Sequence, residues 1–176
     1  TQEGLFQHFS MVAKETDLPI ILYNVPSRTS INMESGTVAR LSAIKNIVGI
    51  KEASGSLVQV SEIIDSCGSD FTVISGEDAL TWPILAIGGK GAISVTANLV
   101  PDKCAKLFQA AQQGDVETAK ALHYELLKLS DIMFVETNPI PVKVALALMG
   151  RIENEFRAPL CAPTEEHLSQ LKAVLK

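Results

Sequence analysis

Four short apolar runs, each followed by a stretch with helical spacing, predict an α/β fold with parallel strands. Beyond residue 100 only helical patterns remain, so the strands are expected in the first part of the chain. A complete eight-stranded α/β barrel needs about 250 residues. The 176 residues here leave room for half of one, with helices after it.

The elements follow in order. Leu5, Phe6, Phe9, Val12 and Ala13 are spaced along one face of a leading helix. "IILYNV", after Pro19, is apolar and short, a strand. "MESGTVARLSAI" puts Val38, Leu41 and Ile44 on one helical face. "IVGIK" is β-branched and too short for a helix, so it is the second strand. "LVQVSEIIDSC" is a helix and "FTVIS" the third strand. "ALTWPILAI" is a short helix with Pro83 in its first turn, where proline is tolerated. "GAISV" is the fourth strand, and no strand is expected beyond Val95. "DKCAKLFQAAQQG" is a helix ended by Gly114, and Asp115 caps the next. In that helix Ala119, Leu122, Leu126, Leu129 and Met133 form a continuous apolar seam. "PIPVKVALALMG" and "EEHLSQLKAVLK" complete the helical portion. Residues 1–100 are expected to form the strand-helix portion, and 101–176 a last helix of that portion and a helical tail.

Composition narrows the function. Hydrophobic residues make up 47% and charged residues 20%, enough apolar material for a packed core and too little charge for disorder. The formal net charge is −5 and no basic run occurs, which argues against nucleic acid or an anionic membrane as partner. No apolar run reaches the roughly 18 residues of a membrane span, and no signal peptide is evident. Cys67, Cys104 and Cys161 are odd in number, widely spaced and without a CxxC, as expected of small buried thiols in a reducing cytoplasm. His8, His123 and His167 lie far apart and suggest no metal set. "GGKG" lacks the rest of a phosphate-binding loop.

One arrangement carries chemistry. In a strand, alternate residues share a face, so Lys51 is expected to point with Ile47 and Gly49, the glycine leaving a gap beneath it. A lysine facing inward at the C-terminal end of a parallel strand stands where α/β barrels do their chemistry. Apolar surroundings would lower its pKa and supply the neutral amine that imine formation needs. The bland alternative is a lysine that leaves the strand for solvent, which is where most lysines are. Tyr23 shares parity with Ile21 near the end of the preceding strand, and a phenol can relay a proton to or from a carbinolamine. Arg28 follows a proline-containing turn and can grip a carboxylate with two parallel hydrogen bonds. A core tyrosine and a surface arginine would look the same in isolation. Together the lysine, tyrosine and arginine form a coherent set for a keto acid. Glu52 and Asp78, at strand ends, suit local hydrogen bonds or ion pairs better than catalysis, and Lys143 suits the surface or tail packing.

The segments "ILYNVPSRTS", "IVGIKEASGSL", "VISGEDAL", "GGKGAISVTANLVP" and "NPIPVK" occur in the order that resembles the dihydrodipicolinate synthase family. That resemblance spans essentially the whole chain. It implies a (β/α)8 TIM barrel with a C-terminal helical tail, of which this chain resembles the C-terminal half: four parallel strands and the tail. It implies a Schiff-base lyase joining pyruvate to aspartate semialdehyde in lysine and diaminopimelate biosynthesis, cytoplasmic, homo-oligomeric, and needing no cofactor or metal. By the same resemblance Lys51 forms the imine, Tyr23 moves protons and Arg28 binds the carboxylate of aspartate semialdehyde. Gly76 and Ile93 line the pyruvate pocket; as alternatives, Gly76 is a turn glycine and Ile93 barrel core.

The family's hydroxyl pair, its second tyrosine and its lysine feedback site belong to the N-terminal half, which these residues do not match. The chain is therefore expected to be inactive alone unless another chain or copy completes the sheet. Two rival readings stand beside this one. A sister aldolase of the N-acetylneuraminate lyase or keto-deoxy sugar acid type would share the lysine and tyrosine, but Arg28 in "PSRTS" suits a short acid. The other is a catalytically dead remnant that persists as a folded or interacting module.

Overall fold

The computed structural model describes residues 1–175. Residues Thr1–Ile93 form one compact unit and the residues from Ser94 onward another.

The first unit opens with α1 (Gln2–Lys14), capped by the Thr1 hydroxyl accepting from the Gly4 N–H. Strands β1 (Ile20–Asn24), β2 (Ile47–Glu52), β3 (Thr72–Ser75) and β4 (Gly91–Ala92) alternate with helices α2 (Pro26–Thr29), α3 (Ser35–Ser42), α4 (Leu57–Cys67) and α5 (Thr81–Ala86). The four strands form one sheet in the order β1-β2-β3-β4. Every pairing is parallel, as strand-helix alternation requires. Ser56 caps α4 by accepting from the Gln59 N–H.

The core of this unit lies between the sheet and its helices. Leu22, Ile50 and Val73 come from the strands, and Val38, Leu41, Val60 and Ile63 from the helices; all are at most 2% exposed. Each such aliphatic side chain contributes about 1.5–3 kcal/mol by leaving water. Leu5, Phe6 and Phe9 of α1 pack against the same cluster, whereas Val12 of the expected stripe is exposed.

Two strand details differ from expectation. Ile20 pairs with Ile47 but Ile21 pairs with Gly49, so Val48 is an extra residue in β2. This bulge reverses the strand's parity. Ile47 therefore joins the helix-side core with Ile50, and does not share the face of Lys51. β4 is also shorter than "GAISV": Gly91 and Ala92 pair with β3, and the Ile93 N–H continues the ladder to the Ser75 carbonyl at 2.9 Å. Among the described residues no strand lies on the far side of β4 to extend it.

The second unit is helical. It contains α6 (Pro101–Gln112), α7 (Val116–Ile132), α8 (Ile140–Leu148) and α9 (Glu165–Val174). Gly114, at φ +73°, makes the turn between α6 and α7. The Asp115 carboxylate then caps α7 through the Thr118 N–H, and Thr164 caps α9 through the His167 N–H. Ala119, Leu126 and Met133 of the seam are buried, with Leu122 and Leu129 half-buried beside them. Met133 joins Leu99, Val142, Val144, Ala145 and Leu171 in this unit's core. Lys143 extends over the Phe156 ring, 5.3 Å from its centre. Lys176, the last residue of the expected terminal helix, lies outside the described residues.

Cys67 and Cys104 are half-buried, and Cys161 is exposed, so the thiols are not the core groups the sequence suggested. Among the described residues, no helix is long and apolar enough to cross a membrane.

Candidate active site

Parallel pairing of β1 with β2 sets Tyr23 directly beside Lys51. Alternation does the rest. Leu22 and Asn24 turn into the core, at 1% and 2% exposure, while Tyr23 turns to the opposite, open face. Lys51, half-buried, lies between the buried Ile50 and Glu52 and so projects to that open face as well. Its Nζ stands 4.2 Å from the centre of the Tyr23 ring. The amine thus rests on the aromatic surface of its neighbour, which restrains a long side chain that would otherwise sweep freely.

Gly76 supplies the clearance. It follows β3, and its N–H donates to the Glu52 carbonyl at 2.8 Å, carrying the β2–β3 ladder to the level of the lysine. A Cβ at Gly76 would stand 2.9 Å from the Ala53 Cβ and 3.0 and 3.1 Å from Cε and Cγ of Lys51. Any side chain there would displace the lysine stem. Gly49 has a different role from the one expected: there is no gap beneath Lys51, because a Cβ at Gly49 would overlap the carbonyl oxygen of Thr72. Gly49 permits close approach of β3.

The other two candidates are Ile93 and Arg28. Ile93 is anchored by its N–H to Ser75 and its side chain is 51% exposed. Arg28 lies on α2, whose first residue is Pro26 and which ends at Ser30 in a left-handed conformation, φ +59°. Its side chain is exposed. Tyr23 and Gly76 both flank Lys51. Beside Gly76, burial holds the Glu77 carboxyl above its ordinary pKa, and the charge of Asp78 adds to the rise. Among the described residues no group of three or more His, Cys, Asp and Glu gathers as a metal set.

Sequence reasoning missed Asn24. It is 2% exposed and donates to both carboxylate oxygens of the equally buried Glu52, at 3.2 and 3.0 Å. The signal was a polar residue at the buried parity of an apolar strand. Of the Glu52 carboxylate's hydrogen bonds, the one from the Ser54 N–H is local, as expected, whereas those from Asn24 reach across to β1.

The chain matches the dihydrodipicolinate synthetase family over residues 1–176. It is 54% identical, over its full length, to 4-hydroxy-tetrahydrodipicolinate synthase of Thermodesulfovibrio yellowstonii, of which it covers 60%. The structure of 4-hydroxy-tetrahydrodipicolinate synthase from Methylacidiphilum fumariolicum superimposes with a TM-score of 0.97 at 44% identity, covering 99% of this chain and 59% of that one. Dihydrodipicolinate synthase from Aquifex aeolicus gives a TM-score of 0.96 at 44% identity, with 99% and 60% covered. The chain thus spans about 60% of the length of the relatives it matches. Over that length, in sequence and in fold, it belongs to the dihydrodipicolinate synthetase family.

Proposed function

We propose that this chain carries the imine-forming part of a 4-hydroxy-tetrahydrodipicolinate synthase site, in the C-terminal half of a (β/α)8 barrel with a helical tail. The observation that carries the reading is the Lys51 amine held 4.2 Å above the Tyr23 ring, with Gly76 kept free of a side chain beside its stem. Imine formation needs a nucleophilic amine, and a phenol on the neighbouring strand position is a group able to relay its protons.

In this reading the neutral Lys51 amine adds to the ketone carbon of pyruvate. Tyr23 donates the proton with which the carbinolamine hydroxyl departs as water, leaving the imine. Loss of a methyl proton gives the enamine, whose carbon attacks the aldehyde of aspartate semialdehyde while Arg28 holds that substrate's carboxylate. Attack of the substrate's own amine on the imine carbon closes the ring and expels Lys51 as a free amine. The backbone around Gly76 and Ile93 lines the pyruvate end. The imine itself is the electron sink, so these steps call on no cofactor.

The open face supports the further reading that other strands complete this site. Ile21, Tyr23 and Ile93 remain 47%, 45% and 51% exposed. Among the described residues β1 and β4 each pair on one side only. Unpaired strand edges beside apolar surface invite association, so the 176-residue polypeptide by itself is expected to associate or aggregate and to turn over negligibly.

The test is trapping. Pyruvate with borohydride, applied to a full-length barrel carrying these residues, should modify the peptide containing Lys51. Modification of a different lysine would overturn the assignment. Adding an aldehyde before the borohydride separates this reading from a sister sugar-acid aldolase: aspartate semialdehyde should consume the unreduced imine and lower the yield of trapped Lys51, and sugar aldehydes should not.

A further inference from the structure

Behind the open face, the ends of β1 and β2 share a buried polar knot. The Oε1 of Glu52 accepts from the Ser54 N–H at 2.6 Å and the Asn24 amide at 3.2 Å. Its Oε2 accepts from the same amide at 3.0 Å and from Gln59 Nε2 at 3.2 Å. Asn24 reaches on to the following loop: Nδ2 donates to Asn32 Oδ1 at 2.8 Å, and Oδ1 accepts from the Met33 N–H at 2.9 Å. Gln59, on α4, closes the knot. Its Nε2 donates to the Met33 carbonyl at 3.2 Å, and its Oε1 accepts from Asn32 Nδ2 at 2.8 Å.

A carboxylate this buried is costly unless every oxygen is satisfied. An apolar packing of similar volume would often be at least as stable. Two features point to a task beyond stability. First, the knot ties both ends of the segment between Asn24 and Met33, and that segment contains α2 with Arg28. Second, Asn24 and Glu52 directly follow Tyr23 and Lys51, which the sheet ladder already pairs, and face the other way, so the knot joins the Arg28-bearing segment to the strand ends that carry that pair.

We propose that Glu52 is a positioning residue. Through Asn24 and Gln59 its carboxylate holds the Arg28-bearing segment in register with the Tyr23–Lys51 pair. This rests on the reading of those three residues as substrate-handling groups. Glu52→Gln keeps the volume but turns an amide donor toward groups that are themselves donors. Gln59→Met keeps volume at a half-buried helix position and removes only that arm of the knot.

Both variants are to be made in a full-length barrel carrying these residues, with Arg28→Ala as reference. Arg28→Ala should raise the KM for aspartate semialdehyde about 10- to 150-fold, the loss expected for one charge-assisted contact. Glu52→Gln should raise it about tenfold and Gln59→Met severalfold, in the same direction. The rate of pyruvate trapping on Lys51 should be unchanged in both. A purely structural role gives the opposite split: both KM values unchanged and all activity falling with the folded fraction. That result, or equal damage to the two substrates, would overturn the proposal. Amide exchange adds a readout independent of activity. Glu52→Gln should accelerate exchange at Met33 and Ser54 by about tenfold or more, with Val38 and Leu41 unaffected. If the parent fails to trap pyruvate, the functional reading has failed, and unchanged exchange would then sink the positioning role on its own evidence.

Discussion

Along β1, Leu22 is 1% exposed, while Ile21 and Tyr23, one position to either side, are 47% and 45% exposed. The same contrast crosses the sheet. Ile50 and Val73 are sealed against the helices at 0% and 2%, and Lys51 and Ile74, the next residue of each strand, pair side by side on the other face. One face is finished by helices of this chain. The other carries every strand-borne candidate for chemistry and is left open. The period of two in a strand lets a single short segment serve two faces, the core taking one set of alternate residues and the candidate groups the other. Substitutions on the two faces should therefore fail in different ways.

The largest expected effect is on the open face. Lys51→Ala in a full-length barrel should abolish borohydride trapping and cut turnover by at least roughly a thousandfold. Its denaturation midpoint should move by less than about 0.5 kcal/mol equivalent. A large loss of stability would mean that Lys51 is part of the packing and the faces are not separated. The converse is Ile50→Ala, one residue away and fully buried. It should cost about 2–5 kcal/mol in urea unfolding, while the protein that remains folded traps pyruvate normally. Failure to trap in that fraction would show that the helix-side core sets the lysine's geometry.

A subtler substitution separates space from chemistry. Gly76→Ala removes no candidate side chain but puts a methyl 3.0 Å from Lys51 Cε and 2.9 Å from the Ala53 Cβ. Displacing a packed stem costs about 1–3 kcal/mol, so imine formation should slow by about 5- to 150-fold, measured as the single-turnover trapping rate. A rate equal to the parent's would show that the lysine has other room. The smallest effect concerns pH. Burial first, and then Asp78, hold the Glu77 carboxyl above its ordinary pKa, so its ionisation destabilises the fold once pH rises through the carboxylate range. Glu77→Gln should then be more stable than the parent at pH 7, by less than about 1 kcal/mol because the group is only partly screened from water. The gain should vanish below pH ~4, where the parent's carboxyl is protonated in both the folded and unfolded states. A gain that persists in acid would point to packing as its source.

Local pattern was sufficient for much of this molecule. The alternation of apolar runs and helical stripes, the cap at Asp115, and the turn at Gly114 depend only on neighbours in the chain. Strand parity set Tyr23 with Ile21 and Lys51 with Gly49, but that Tyr23 and Lys51 stand side by side follows from the register of β1 on β2. Other features were settled across the sheet. Val48 became a bulge, and Ile47 changed face, because the register of β2 is set by its pairing with β1. Gly49 makes room for Thr72 on an adjoining strand, and Gly76 makes room for the stem of Lys51. The Asn24–Glu52 knot joins residues distant in the chain that only parallel pairing brings together. Exposure of Cys161, too, depends on what packs around it and not on its own chemistry. Periodicity reports which way a side chain points relative to its own backbone. What that side chain meets there is decided by the register and approach of another segment, and these exist only once the chain has folded.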